Sequence, residues 1–127
     1  MNILKFLWQL PQNILGFLVT VFSGAKYSGI VGCYLTRFNF GVSLGHYIII
    51  GQKMYCGTTL KHEIGHQKQS LYLGFLYLLL IGLPSITGNI IDSVFHCCWS
   101  TQARLKWYYS LLWEKWADSL GGVERNF

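Results

Sequence analysis

The stretch from Lys61 to Ser70 reads KHEIGHQKQS, and the interpretation of the whole chain depends on it. Two histidines, His62 and His66, stand four residues apart, with Glu63 between them. On an α-helix, positions four apart differ by about 40° around the axis, so both imidazoles project from one face and can bind one ion. Glu63 lies beside that face, where a carboxylate can take a proton from a water molecule. The stretch alone predicts either a metal site or a polar helix face.

A glycine inside this stretch indicates close packing. Gly65 destabilises a helix by about 1 kcal/mol relative to alanine, so we expect another part of the chain to approach closely there. The helix is predicted to begin with Thr58 or Thr59 as its N-cap. Its predicted end is the stretch 82–84, which reads Gly-Leu-Pro.

A hydrolytic zinc site needs a third protein ligand besides the two histidines. Few acidic residues can supply it, since besides Glu63 the chain has only Asp92, Glu114, Asp118 and Glu124. Glu114 and Asp118 stand four apart on one face of an amphipathic helix, so one could bind a metal while the other accepts the ring N–H of a bound histidine. By the helix rules alone this pair would be a solvated face. Its combination with HEIGH favours a metal site.

HEIGH followed by EKWAD resembles the motifs H-E-x-x-H and E-x-x-A-D of the gluzincin zinc metallopeptidases. The resemblance is strongest to the membrane-embedded group that includes the CAAX prenyl-protein protease and the bacterial heat-shock membrane endopeptidase. It covers residues 58–70 and 108–122, about a quarter of the chain, which is much shorter than those proteins and lacks an obvious second pair of membrane spans.

The resemblance implies a zinc cofactor and assigns roles to the motif residues. It implies as zinc ligands His62, His66 and Glu114. Glu63 would be the general base and acid, and Asp118 would support a ligand.

Further residues are candidates by chemistry alone. An oxyanion would need another donor, and the possible oxyanion or substrate contacts are His46, His96, Arg104, Tyr108 and Tyr109. Members of this class bind an extended substrate along a sheet edge, for which the predicted strand GVSLGHYIII is the template. A structural role is the alternative for the two lone histidines in this set.

The composition favours a membrane over nucleic acid. Hydrophobic residues make up 52% of the chain and charged residues 12%, against a usual charged share of about 25%. The net charge is +5, and no acidic residue precedes Glu63. Because the basic residues are scattered among apolar runs, we expect contact with anionic lipid and a cytoplasmic orientation, with no nucleic-acid partner.

Two apolar segments could contact the membrane. Residues 1–25 read as a retained anchor rather than a cleaved signal peptide, with Pro11 in the first turn of a helix that runs to Phe22. Residues 71–91 carry no charge and could form a tilted span, a re-entrant hairpin or the core helix of a soluble protein.

These patterns predict one domain over 1–127, of α+β class and mainly helical, resembling a minimal zincin core. A small antiparallel sheet or hairpin is expected from a strand pair in 28–52, with its break at 39–41. The metallopeptidase core would occupy 58–122. Within it, helices are expected at 90–98 and at 101–120, the second stopped by a left-handed Gly121-Gly122 cap. The four cysteines are interpreted as reduced, buried packing residues.

The function that this sequence predicts is a small zinc-dependent endopeptidase. It would hydrolyse a peptide or protein substrate at the cytoplasmic membrane, with its site near the cytosolic face. One alternative is a non-catalytic metal-binding membrane protein with a regulatory or binding role. Another is a structural or membrane-disrupting protein with fortuitous motifs, which would bind no metal.

Overall fold

A computed structural model describes residues 2–126 and contains six α-helices and four strands. The N-terminal half contains α1 (Ile3–Trp8), α2 (Leu10–Phe22), β1 (Lys26–Tyr27), β2 (Cys33–Thr36), β3 (Gly41–Leu44) and β4 (Tyr47–Gly51). The C-terminal half contains α3 (Gly57–Leu73), a 3₁₀ turn (Gly74–Leu76), a π-helical turn (Leu78–Gly82), α4 (Leu83–Phe95), α5 (Thr101–Ser110) and α6 (Leu112–Gly121). The predicted mainly helical α+β class is confirmed.

The sheet has four strands in the order β1-β2-β4-β3, two more than the expected pair. β1 pairs antiparallel with β2, and β3 with β4, but β2 and β4 are parallel, so the expected antiparallel sheet is in fact mixed. GVSLGHYIII is a hairpin rather than one strand, because Gly45, with φ of 65°, and His46 form a two-residue turn between Leu44 and Tyr47. β3 is consequently an edge strand.

The helix that carries HEIGH begins and ends earlier than predicted. Its N-cap is Cys56, whose sulfur accepts the Thr59 N–H. It ends at Leu73 because Gly74 has a positive φ of 54°, and the Trp8 ring lies where a side chain at Gly74 would be. Pro84 lies in the first turn of α4 and does not end α3.

The remaining helix boundaries are partly as expected. The helix placed at 90–98 is α4, which begins at Leu83 and ends at Phe95. The helix placed at 101–120 is divided into α5 and α6 at Leu111, whose ψ of 139° is extended. Gly122, with φ of 73°, is a left-handed cap, as predicted. The prediction of α2 from Pro11 to Phe22 is also confirmed.

On α2 polar side chains are buried and apolar side chains are exposed, the reverse of the usual arrangement in a soluble protein. Gln12 and Asn13 are buried, whereas Phe17 and Phe22 are 55% and 83% exposed. The buried amide of Gln12 donates to the Ser70 hydroxyl at 2.9 Å and to the Gly74 carbonyl at 2.7 Å. Polar groups therefore attach α2 to α3, and the apolar face of α2 points outward.

The same inversion holds for the chain as a whole. Among the described residues, thirty-one large apolar side chains are exposed and eight apolar residues are buried. The helical run Leu78–Phe95 has 18 residues, a mean hydropathy of 1.6 and only 11% of its residues buried. By length and composition this run can cross a membrane.

The cysteines differ from the prediction. Cys33 is buried and belongs to the small core beside β4, but Cys56, Cys97 and Cys98 are exposed. Turns and helix ends, where these three lie, leave their thiols at the surface. All four are free thiols.

Candidate metal centre

Two glycines bring α3 and α6 into backbone contact. A Cβ atom at Gly65 would lie 1.8 Å from the Ala117 carbonyl oxygen, and one at Gly121 would lie 1.9 Å from the Lys61 carbonyl oxygen. Neither position can hold a side chain without moving a backbone. The predicted close approach at Gly65 is confirmed, and it sets the HEIGH face of α3 directly against the face of α6 that carries Glu114.

Three potential ligand atoms converge between these helices. Glu114 Oε2 lies 3.1 Å from His62 Nε2 and 3.0 Å from His66 Nε2, and all three atoms are within 4.8 Å of one another. Ligand atoms about 2.0–2.1 Å from a tetrahedral zinc are about 3.3 Å apart. All three residues are buried. The two distances from Glu114 to the histidines are thus within a few tenths of an ångström of the spacing in a zinc site.

The outer nitrogens of both imidazoles have hydrogen-bond acceptors. His62 Nδ1 lies 2.6 Å from Asp118 Oδ1, and His66 Nδ1 lies 2.7 Å from Gln69 Oε1. The Gln69 amide nitrogen donates to the Trp113 carbonyl at 2.8 Å, which turns its oxygen toward His66. Both Nδ1 atoms thus carry the proton of the neutral ring, and both Nε2 lone pairs point toward Glu114. Such an arrangement is unfavourable unless a proton or a cation lies between them.

The Glu114 carboxylate is oriented by two donors on other helices. Its Oε1 accepts the Ser85 hydroxyl at 2.5 Å and the Tyr108 hydroxyl at 2.9 Å. Oε2 is left for the histidines. Ser85 lies on α4, so a residue of the apolar run Leu78–Phe95 contacts the candidate ligand directly.

Asp118 is bound from the opposite side by Arg125. The guanidinium donates from Nε to Asp118 Oδ2 at 2.6 Å and from Nη2 to Oδ1 at 3.0 Å. It also lies over the Tyr109 ring, 3.4 Å from the centroid. That ring in turn contacts the His62 ring edge-to-face, with centroids 5.1 Å apart.

Glu63 is buried next to the cluster and against the sheet. Its Oε2 has no hydrogen-bond partner. A Cβ atom built on Gly41 of β3 would be 2.9 Å from its Oε1, so the glycine leaves room for the carboxylate. Burial raises the pKa of Glu63 above its ordinary value. An unpartnered carboxylate oxygen here fits a site that takes up a positive charge or a proton.

The pKa values of the cluster also indicate that it favours a positive charge at its centre. Burial lowers the pKa of His62, but hydrogen bonds to Asp118 and Glu114 outweigh it and raise the pKa to about 9. For His66, burial lowers the pKa and the Glu114 hydrogen bond raises it to a net increase. Burial opposes ionisation of Glu114, yet the two imidazoles hold its pKa well below the ordinary range.

The buried charges favour a divalent cation. Three carboxylates, Glu63, Glu114 and Asp118, surround the histidines, and in the described part of the chain Arg125 is the one basic side chain bonded to any of them. With neutral histidines and three ionised carboxylates the group carries an excess of two negative charges, which a doubly charged ion would neutralise; without an ion, a proton on His62 supplies part of this compensation. Buried charges need such compensation. The residues present thus fit a metal of charge two, and the cluster His62, His66, Glu114 could bind one.

Three of the candidate contact residues lie elsewhere. His46 is in the β3–β4 turn, where its N–H and ring bond to Asn13. His96 stacks on Trp99 with ring centroids 3.7 Å apart and bonds to Asp92. Arg104 forms a two-pronged ion pair with the same Asp92. Among the candidates, only Tyr108 and Tyr109 reach the cluster.

Three residues of the site were not predicted from the sequence. Ser85 sits in an apolar run and Gln69 in a polar one, with no motif to single them out. Arg125 lies in the short tail after α6. Its one signal is the Gly121-Gly122 pair, which marks a chain reversal toward Asp118.

The chain matches no protein-family model, no curated protein and no solved structure. The class of site is therefore defined by its own geometry. It is a buried centre of two histidines and one glutamate, on two helices in backbone contact, that could bind a metal ion. The resemblance to gluzincins rests on the two short motifs.

Proposed function

We propose that this protein is a small membrane-associated zinc endopeptidase. The observation that carries the proposal is the convergence of His62 Nε2, His66 Nε2 and Glu114 Oε2, with the unpartnered Oε2 of Glu63 nearby. Two imidazoles and one carboxylate are the ligand set of many hydrolytic zinc sites, which leave one position open. Zinc bound there would polarise a peptide carbonyl and lower the pKa of a water to about 7.

Glu63 would move the proton. A buried carboxylate with a raised pKa and no donor on Oε2 can accept a proton and later release it. It takes the proton from the attacking water and gives it to the leaving amine. Glu63 lies against Gly41 of β3, so a peptide bound along that strand would have its cleaved bond near this carboxylate.

An extended peptide would bind along the edge strand β3. Val42 and Leu44 form the hydrogen-bonded pairs with β4, so the backbone groups of Gly41 and Ser43 point away from the sheet. The Ser43 carbonyl already accepts the Tyr77 hydroxyl at 2.8 Å. Gly41 remains to pair with a substrate strand next to Glu63.

Tyr109 is the best remaining donor for the oxyanion. The Tyr108 hydroxyl is already donated to Glu114, whereas Tyr109 lies with its ring against His62. Burial raises the pKa of Tyr109, which keeps its hydroxyl protonated and able to donate.

The proposed site lies next to the helical segment that could span a membrane. Ser85, a Glu114 partner, lies seven residues after Leu78, the first residue of the apolar run that is long enough to span a bilayer. At about 1.5 Å per helical residue, Ser85 lies about 10 Å along this 18-residue segment, in the half that begins at Leu78. The cationic N-terminal half favours contact with anionic lipid and a cytosolic side for the site.

A non-catalytic metal protein is the second candidate, favoured by the burial of the centre. His62, Glu63 and His66 are 4–6% exposed, and Glu114 is fully buried, as in structural metal sites. Such a protein would bind zinc at the same residues without turnover.

One set of variants separates these functions. Elemental analysis of protein purified in detergent should give one zinc per chain, lost in Glu114→Ala. Cleavage of fluorescently labelled casein in the same detergent should occur with wild type and stop in Glu63→Gln, which keeps its zinc. Zinc without cleavage in wild type would favour the second candidate, and absence of zinc from wild type would refute both.

A further inference from the structure

We infer that Arg125 is a positioning residue of the metal centre: it holds Asp118 in the orientation that fixes His62 for metal binding. This inference rests on the proposed metal site and adds a residue that lies outside both sequence motifs.

The end of α6 brings Arg125 back onto the helix that precedes it. Gly122 takes the left-handed conformation, and the Val123 N–H then bonds to the Asp118 carbonyl at 2.8 Å. This reversal directs the next residues along α6. Arg125 thereby reaches Asp118, seven residues earlier in the chain.

The contact with Asp118 is made with both oxygens. Asp118 Oδ1 accepts hydrogen bonds from Arg125 Nη2 at 3.0 Å and from His62 Nδ1 at 2.6 Å, so one oxygen joins the guanidinium and the imidazole. Oδ2 receives the Arg125 Nε proton at 2.6 Å. Two parallel bonds fix the plane of a carboxylate, which a single bond does not. The direction in which Asp118 meets His62 is therefore set by Arg125.

A second route runs through Tyr109. The guanidinium carbon lies over this ring, 3.4 Å from its centroid, and the ring packs edge-to-face on His62. Arg125 thus touches both groups that hold the outer side of His62. Its side chain is only 18% exposed, so water screens these contacts weakly.

Arg104 provides a matched control within the same chain. Its Nε and Nη2 also donate to an aspartate, although both bond the same oxygen, Oδ2 of Asp92, and that pair contacts His96 rather than the centre. Loss of an arginine–aspartate pair can therefore be compared at and away from the metal site.

The experiment measures zinc affinity, by competition with a chromophoric chelator, for full-length protein in detergent. Arg125→Gln should weaken zinc binding about tenfold, the lower end of the range for groups that orient metal ligands. Arg125→Lys, which keeps the charge but not the fork, should give a smaller loss. Arg104→Gln should leave the affinity within twofold of wild type.

A double-mutant cycle with Asp118→Asn tests whether Arg125 acts through Asp118. If it does, Arg125→Gln will cause little further loss of affinity in the Asp118→Asn background. A merely structural tail contact would give additive losses in the cycle, and that result would overturn the inference, as would wild-type affinity in Arg125→Gln. Failure of wild type to bind zinc would instead refute the metal site itself. If Arg125→Gln does not fold, the same cycle with Arg125→Lys decides.

Discussion

Replacing Gly65 with alanine should destroy the metal centre while leaving most of the fold intact. The new Cβ atom would lie 1.8 Å from the Ala117 carbonyl oxygen and 2.6 Å from its carbonyl carbon. Side-chain carbons are essentially never found closer than 3.0 Å to another heavy atom, so α3 and α6 would have to separate by about 1.2 Å, the difference between 3.0 and 1.8. Overpacking of this kind costs about 1–3 kcal/mol.

Stability and metal binding should respond differently to this change. Alanine regains about 1 kcal/mol of helix propensity, so the free energy of unfolding of the metal-free protein should fall by about 2 kcal/mol at most. Metal sites tolerate ligand shifts of only about 0.2 Å. Because Glu114 on α6 would move away from the two histidines on α3, zinc affinity should fall by about 100-fold or more.

Gly57→Ala is the matched control, since a Cβ atom at Gly57 meets nothing within 4 Å and the residue lies on the same helix. Zinc content by elemental analysis and zinc affinity by chelator competition should be unchanged in Gly57→Ala. Stoichiometric zinc with wild-type affinity in Gly65→Ala would refute the argument that the helix contact sets the ligand geometry.

Three further predictions concern charge, ligand orientation and the membrane. In protein stripped of metal, the pKa of His62 is about 9 in the folded state and about 6.5 in the unfolded state. Between these pH values the folded state binds an extra proton. The free energy of unfolding should therefore fall, on the order of 3 kcal/mol, as the pH rises from about 6.5 to 9. Denaturant titrations across this range check it, and an equal pH slope in His62→Gln would contradict it. Ser85→Ala removes a donor from Glu114 Oε1 and should weaken zinc binding about tenfold in the chelator assay, whereas unchanged affinity would mean that α4 does not orient the ligand. Phe17→Asp on the exposed face of α2 should reduce co-sedimentation with lipid vesicles without changing zinc content, and undiminished co-sedimentation would remove α2 from the membrane contact.

Local periodicity made the helical part of the site predictable. Residues four apart on a helix share a face whatever the rest of the chain does, so His62 with His66 and Glu114 with Asp118 could be paired from the sequence. The contact between the two helices was indicated by Gly65 alone. The assignment of zinc and of catalytic roles to these residues stays a prediction.

The errors arose where distant residues decide the structure. The end of α3 is fixed at Gly74 by the ring of Trp8, which is 66 residues away. The parallel pairing joins β2 to β4, which are separated along the chain by β3, and no local pattern encodes it. The turn at Gly45 and His46 was missed for another reason: the local signal, a glycine between two strand-forming stretches, was present, but the stretch was interpreted as one strand.

Backbone contact at Gly65 and Gly121 restricts which other chains could contain this centre. A chance combination of H-E-x-x-H with E-x-x-A-D can have any residue at its variable positions. This packing admits only glycine at two of the positions: at 65, before the second histidine, and at 121, three residues after the aspartate. With the left-handed cap and the returning arginine, the pattern becomes H-E-x-G-H followed by E-x-x-A-D-x-x-G-G-x-x-R. Chains that share this longer signature should share the architecture, even where the rest of their sequences have diverged.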